Sequence, residues 1–120
     1  MAKGIAETRL YRSEMNERIL GAGMKEFNRF FAVDTGAYRE GALPVKMKEL
    51  MGLTASMVLR CNDCIFYHLD RCVTEGASRE EIMEAMNIAL VVGGSIVIPH
   101  LRYGFEIMDE LFAAGKEIKE

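Results

Sequence analysis

The chain has 120 residues, a length typical of one domain, and a balance of 50% hydrophobic and 28% charged residues that is typical of globular proteins. The net charge is -3, and the lysines and arginines are scattered, so we expect no nucleic-acid interface. The longest apolar run is shorter than the ~20 residues that span a bilayer, and no signal-peptide core is present. We therefore expect a cytoplasmic protein without membrane segments, whose small core favours association with copies of itself.

The hydrophobic pattern is helical nearly throughout and begins with two predicted helices. The first covers residues 5–20, and glycines at positions 21 and 23 interrupt the pattern. The second is a short helix over residues 24–31, and Asp34-Thr35-Gly36 then predicts a turn. The side chains expected to be buried are Leu10, Met15, Ile19, Leu20, Phe27, Phe30 and Phe31.

Two further helices are predicted in the middle of the chain. Pro44 suits a first helical turn, and the apolar spacing continues to about residue 60. Cys61-Asn62-Asp63 indicates a new helix start, because Asn and Asp favour N-caps. That helix is predicted to run to residue 74, with Gly76 just beyond its end.

The last two predicted helices meet at a pair of glycines. Ser78 and Glu81 match a capping box at a helix start, and Gly93-Gly94 ends or bends that helix. The final helix is predicted over residues 95–114, with Pro99 in its first turn and Gly115 at its end. Because no segment shows sustained period-two alternation, the expected fold is all-α, a single domain over residues 1–120.

The segment Cys61-Asn62-Asp63-Cys64-Ile65-Phe66-Tyr67-His68 has the spacing C-x-x-C-x-x-x-H. On a helix, Cys61, Cys64 and His68 lie on one stripe, because residues three and four apart are neighbours. A thiol at a helix start has its pKa lowered by the helix dipole, and an imidazole can exchange protons at cellular pH. This arrangement suits thiol–disulfide chemistry.

The cysteines have two competing interpretations, as buried core residues or as ligands of a metal ion. A cysteine on an apolar face is commonly a small core residue, and we expect that of Cys72. Zinc is the rival chemistry, but ligands strung along one helix cannot wrap a tetrahedron, so a site would need Glu49 or His100 as well. We predict neither a metal nor a cofactor, and we expect His100 to be a packed or interface residue.

The chain resembles the alkylhydroperoxidase D-like and carboxymuconolactone decarboxylase proteins. Their pattern, E-x(11)-C-x-x-C-x-x-x-H, is matched by Glu49, Cys61, Cys64 and His68. The likeness extends from residue 43 to about 110 and includes the Leu-Pro entry, the Gly-Ala-Ser-Arg-Glu-Glu-Ile helix start and the Gly-Gly break.

The resemblance implies an all-α bundle of about six helices that forms trimers or hexamers. It also implies an antioxidant thiol oxidoreductase of the peroxidase or peroxiredoxin type, in which Cys61 and Cys64 form a redox-active disulfide. Glu49 and His68 would relay protons to the thiols. The substrate would be a hydroperoxide or a disulfide, and the reductant a protein or lipoyl dithiol. The sequence departs from some members at Asp63, whose charge opposes thiolate formation at Cys64.

Three other functions stay open at this point. The family's second branch decarboxylates a lactone, a reaction that needs no pair of thiols. A non-enzymatic oligomer that uses the cysteines as a redox switch would form the disulfide without turnover, and a zinc protein would carry metal after purification. The residues do not identify which cysteine attacks first.

Overall fold

The computed structural model describes residues 4–119 and the side chains of residues 4–115. Within this part of the chain there are six α-helices, one short 3-10 turn and no strand, as predicted for an all-α protein. None of the described helices is both long and apolar enough to cross a membrane. The helices are α1 (Ile5–Leu20), α2 (Lys25–Ala37), α3 (Val45–Val58), α4 (Asn62–Thr74), α5 (Arg79–Gly93) and α6 (Ile98–Lys119).

The chain separates into two compact units, one up to Arg39 and one from Glu40 onwards. The first unit contains α1 and α2, and neither helix has a buried residue. The predicted buried faces are therefore wrong here: Leu10 is 59% exposed and Phe30 is 71% exposed. Two helices alone are too few to enclose a core, so apolar spacing in this unit does not lead to burial.

Helix α2 is longer than its sequence pattern predicts. Asp34, Thr35 and Gly36 continue the helix to Ala37, and the predicted turn at these residues is wrong. Glycine costs about 1 kcal/mol in a helix relative to alanine, and Asp and Thr cost less. Propensities of this size are a weak guide, because continued backbone hydrogen bonding easily offsets them.

The second unit begins with α3, which follows Pro44 at its N-cap and ends at Val58, two residues before the predicted end. Arg60 has a φ of 60°, in the left-handed region, and turns the chain into α4. The N–H of Cys61 donates to the carbonyl of Ser56 at 3.1 Å and so closes the end of α3. This tight connection places α3 and α4 side by side, and α3 packs mainly against α4 and α5.

Helices α5 and α6 complete the second unit. The Ser78–Glu81 capping box is present, as predicted, with both reciprocal hydrogen bonds. Gly94 has a φ of 80° and ends α5, and a 3-10 turn over Ser95–Val97 precedes α6. The predicted end at Gly115 is wrong, because α6 continues to Lys119 and Gly115 has no positive φ.

The core of the second unit lies around α4. Gly104 of α6 lets that helix approach α4, since an added Cβ would lie 3.3 Å from Met86 Cε and 3.5 Å from Ile65 Cγ2. Apolar packing of this kind fixes the rotation of α4 about its axis. The buried side chains of α4 are Ile65, Phe66, Leu69 and Cys72.

Candidate active site

The two cysteines of the C-x-x-C segment are joined by a disulfide at the start of α4, with their Cα atoms 5.3 Å apart. Cys61 is the N-cap residue, and its extended backbone turns the side chain over the first turn. The N–H of Cys64 donates to Sγ of Cys61 at 3.2 Å. The sulfur of Cys61 therefore lies at the positive end of the helix dipole, beside N–H groups that have no partner within the helix.

His68 lies one turn after Cys64 on α4 and is held by Glu49 of α3. Its Nδ1 and Oε1 of Glu49 are 2.8 Å apart. Because a carboxylate oxygen accepts hydrogen bonds, Nδ1 of His68 is the donor in this pair. Glu49 is 2% exposed and the His68 side chain 12%, so the pair is shielded from water. The structure thus brings Glu49 to His68, as the family pattern predicts.

Arg71, one turn after His68, is a component that the sequence interpretation missed. Its Nε is 3.5 Å from Oε2 of Glu49, and its second terminal nitrogen donates to Oε2 of Glu75 at 2.8 Å. The signal in the sequence was the spacing of three residues between His68 and Arg71, which places both on one face of α4. The buried carboxylate is therefore bound by an imidazole on one oxygen and faces a guanidinium with the other.

Cys72 is the third cysteine, and it is fully buried with a free thiol. Burial raises the pKa of the Cys72 thiol to about 12, and the negative charge of Glu49 adds to the increase. Such a thiol is neutral at physiological pH and is a poor nucleophile. This confirms the prediction that Cys72 is a core residue.

The first turn of α6 also contacts the cysteine segment. His100 Nδ1 and Asn62 Oδ1 are 2.7 Å apart, so the imidazole donates to the amide oxygen of the residue that follows Cys61. Burial, and then the negative charge of Asp63, raises the pKa of Tyr103. His100 is thus a half-buried residue that is hydrogen-bonded next to the candidate site, and the charge of Asp63 acts on α6 as well as on its own helix.

Glu49 and His100, the side chains that a zinc site would need beside the cysteines, have other partners in the structure. Among the described residues, no three His, Cys, Asp or Glu side chains cluster in a way that could hold a metal ion. Glu49 is bonded to His68, and His100 is bonded to Asn62. The arrangement instead combines a disulfide, an imidazole and a buried carboxylate, the groups needed for thiol chemistry with proton transfer.

Two curated proteins are similar to this chain in sequence. An uncharacterized protein of the cox locus of Paracoccus denitrificans is 29% identical over 78% of this chain and 84% of its own. An uncharacterized protein of Cupriavidus necator is 29% identical over 73% of this chain and 79% of its own.

Crystal structures from two organisms superpose closely. One structure of a Thermotoga maritima protein has a TM-score of 0.90 at 58% identity, covering 92% of this chain and 97% of that one. A second structure of that protein has a TM-score of 0.89 at 55% identity, covering 95% of this chain and 97% of that one. It presents the T. maritima protein as a carboxymuconolactone decarboxylase family protein with a possible involvement in antioxidative response. A Legionella pneumophila protein at 22% identity shares the fold, with a TM-score of 0.81 over 89% of this chain and 96% of that one.

The model of one family matches residues 25–106, which include all four residues of the motif. This match covers more than half of the sequence. The chain belongs to the carboxymuconolactone decarboxylase family.

Proposed function

We propose that this protein is a thiol-dependent oxidoreductase that reduces hydroperoxides or disulfides through a Cys61–Cys64 dithiol/disulfide couple. The observation that carries the proposal is the disulfide at the start of α4, one turn before a histidine held by a buried glutamate. The possible antioxidative role of the T. maritima protein, 55% identical, supports the same chemistry. A lactone decarboxylation would make no use of a cysteine pair.

Peroxide reduction would start from the two free thiols. His68 accepts a proton from one cysteine, and the thiolate attacks the peroxide O–O bond. The new S–O bond gives a sulfenic acid, and the alkoxide that leaves takes up the proton as an alcohol. The second thiol then attacks the sulfenic sulfur, the disulfide forms and water leaves. Two thiols are oxidised, and one peroxide is reduced.

The start of α4 stabilises the thiolate form of this couple. In the disulfide, Sγ of Cys61 accepts the N–H of Cys64 at 3.2 Å, and the same donor can serve a Cys61 thiolate. Hydrogen bonds from the backbone N–H groups at a helix start, together with the dipole, favour negative charge there. Cys64 stands one turn from His68, so each cysteine has one group that promotes its reactivity.

An external dithiol completes the cycle. Its thiolate attacks one sulfur of the Cys61–Cys64 disulfide and forms a mixed disulfide, and its second thiol displaces the protein sulfur. The products are the reduced protein and the oxidised reductant. A protein dithiol and a lipoyl dithiol are both reductants of this chemical class.

The test is consumption of an alkyl hydroperoxide with dithiothreitol as the reductant. We expect Cys61→Ser and Cys64→Ser each to abolish turnover and Cys72→Ser to retain it. Undiminished turnover in both site variants would refute the proposal. Decarboxylation of carboxymuconolactone that survives loss of both cysteines would instead support the lyase activity after which the family is named.

We also propose that the protein acts in the cytoplasm as a homo-oligomer, a trimer or a hexamer. Large apolar side chains are exposed in both units, among them Phe30 at 71%, Leu59 at 76% and Val91 at 73%. Exposed apolar side chains in this number are typical of surfaces that a partner covers. Light scattering of the purified protein should give a mass three or six times that of one chain, and a monomeric mass would refute this part of the proposal.

A further inference from the structure

We propose that Arg71 is a positioning residue of the thiol site, which holds the Glu49 carboxylate in the orientation that accepts a hydrogen bond from His68. The inference rests on the proposed thiol function and adds a residue that is absent from the family pattern of four residues. Arg71 would act through Glu49, without touching the reacting sulfur atoms itself.

The first argument is the division of the Glu49 carboxylate between two partners. Oε1 lies 2.8 Å from Nδ1 of His68, and Oε2 lies 3.5 Å from Nε of Arg71. Glu49 is 2% exposed, and a carboxylate removed from water is strongly disfavoured unless an opposite charge or donors surround it. Arg71 supplies a fixed positive charge on the side away from the imidazole, so the carboxylate can remain an acceptor for His68.

The second argument is the way in which Arg71 itself is held. Its terminal nitrogen donates to Glu75 at 2.8 Å, one turn further on at the C-cap of α4. The Arg71 side chain is 35% exposed and the Glu75 side chain 31%, whereas Glu49 is enclosed. A line of alternating charges thus runs from the solvent-facing side of α4, through Glu75 and Arg71, to Glu49 and the imidazole. The planar guanidinium suits this role, because one group can face two carboxylates.

The other titratable groups around Glu49 do not replace this charge. On α4, Cys72 is a buried neutral thiol, and the ring of Tyr67 packs edge-on against His68 at 5.2 Å. On α5, Glu81 is paired with Lys46 of α3 at 3.0 Å, so that lysine already has a carboxylate partner. Arg71 is therefore a cation that the described contacts place beside Glu49.

The sign of the effect follows from the loss of this charge. Without the guanidinium, the Glu49 carboxylate loses the positive charge that faces Oε2 and is held less firmly against Nδ1 of His68, so the imidazole is a weaker acceptor for a cysteine proton and the thiols keep their protons to higher pH. Cys64 lies about 10 Å from Arg71 along α4, at 1.5 Å per residue, so the effect reaches the thiols through Glu49 and His68. A neutral residue at position 71 should therefore raise the pH at which the cysteines become half-maximally reactive by less than the ~1–3 units that a charge a few ångströms away causes. A residue that only stabilised the fold would lower the melting temperature without moving this midpoint.

The experiment measures the rate of alkylation of Cys61 and Cys64 by iodoacetamide in the reduced protein between pH 5 and pH 10, by peptide mass spectrometry. We expect the midpoint to rise in Arg71→Gln and Arg71→Met and to return near the wild-type value in Arg71→Lys. Arg79→Met is the matched control, since Arg79 is also about one third exposed and pairs with an acid, Asp109 of α6. The midpoint is read from whichever neutral variant retains the wild-type circular dichroism.

A double substitution tests whether Arg71 acts through Glu49. In a Glu49→Gln background, replacing Arg71 by Gln should move the midpoint much less than it does in the wild type. An unchanged midpoint in the neutral variants, an equal shift in Arg79→Met, or a full shift in the Glu49→Gln background would overturn the inference. Peroxide and disulfide turnover are measured separately: the absence of both in the wild type would refute the proposed function, whereas the alkylation midpoint still decides the role of Arg71.

Discussion

Replacing Glu49 by glutamine should separate the stability of the site from its chemistry. The substitution keeps the volume of a side chain that is 2% exposed, but removes its charge. An amide can present either its oxygen or its NH2 group to Nδ1 of His68, so the ring is no longer fixed in one tautomer. We therefore expect a protein that folds and whose imidazole is poorly prepared to accept a proton from a cysteine.

The magnitude can be worked out from the two contacts of the carboxylate. The bond to His68, at 2.8 Å, is a charge-assisted hydrogen bond, and such bonds contribute about 1.5–3 kcal/mol. The approach to Arg71, at 3.5 Å, is long, and Arg71 keeps its bond to Glu75, so its loss adds little. The neutral amide is also less costly to bury, which offsets part of the loss. The net decrease in the free energy of unfolding should be about 1–2 kcal/mol.

The effect on turnover should be larger than the effect on stability. General acid–base catalysis contributes about 10²–10⁴-fold to enzymatic rates, so loss of an oriented base should lower peroxide turnover about 100-fold. That factor corresponds to about 2.7 kcal/mol of transition-state free energy. The assay compares urea unfolding with peroxide consumption under dithiothreitol. Glu106→Gln is the matched control, because it makes the same chemical change at an exposed position of α6. Turnover in Glu49→Gln within twofold of the wild type would refute the reasoning.

Three further predictions concern the third cysteine, a helix cap and a packed glycine. Because burial raises the pKa of Cys72 to about 12, this thiol should resist iodoacetamide at pH 8 in the folded protein and react in 8 M urea. The measurement is peptide mass spectrometry, and labelling of Cys72 in the folded protein as fast as in the unfolded control would contradict the prediction. Ser78→Ala should destabilise the second unit by about 1 kcal/mol in urea melts. The backbone N–H of Ser78, and then Lys46, lower the pKa of Glu81, so the stability that this carboxylate contributes is present at neutral pH and is lost as the pH falls through that lowered pKa. Because alanine keeps the N–H, the variant should lose nearly as much stability on acidification as the wild type. Gly104→Val should lower the free energy of unfolding by about 1–3 kcal/mol, because the added side chain overpacks against Met86 and Ile65. In the control Gly36→Val no atom lies within 4 Å of the added Cβ, so the loss should be less than about 1 kcal/mol. Equal losses in the two variants would show that the close approach of α6 is unimportant.

Local signals in the sequence predicted the second unit well. The capping box at Ser78, the helix start at Cys61 and the break at Gly94 depend on neighbouring backbone groups, and all three are present. The end of α6 was missed because a glycine in a helix costs only about 1 kcal/mol, which hydrogen bonds of the surrounding turns easily outweigh. The turn expected at Gly36 failed for the same reason.

Burial in the first unit could not be predicted from apolar spacing. The phenylalanines of α2 have helical spacing, yet Phe27 is 45% exposed and Phe30 is 71% exposed. A pattern shows which face of a helix is apolar, but it does not show whether the same chain or a second copy covers that face. The prediction of one domain over residues 1–120 likewise stays a prediction.

The candidate site was only partly visible in the sequence. The spacing of Cys61, Cys64 and His68 is local and can be read on one helix, whereas Glu49 came from the family pattern, since no local rule links α3 to α4. Arg71 and the contact of His100 with Asn62 depend on how the helices pack and on long flexible side chains. Such contacts carry no sequence signal beyond the spacing of Arg71 from His68.

The central claim is that Cys61 and Cys64 are a working redox couple, and peptide mass spectrometry of the reduced protein after one equivalent of hydroperoxide tests it most directly. We expect the peptide that contains both residues to lose two hydrogen atoms as the disulfide forms, and the single serine variants to trap a sulfenic acid on the remaining cysteine. Dithiothreitol should restore the thiols, and Cys72 should stay reduced throughout. Peroxide that leaves both thiols unchanged, or that oxidises them no faster than cysteine in a short peptide, would contradict the account.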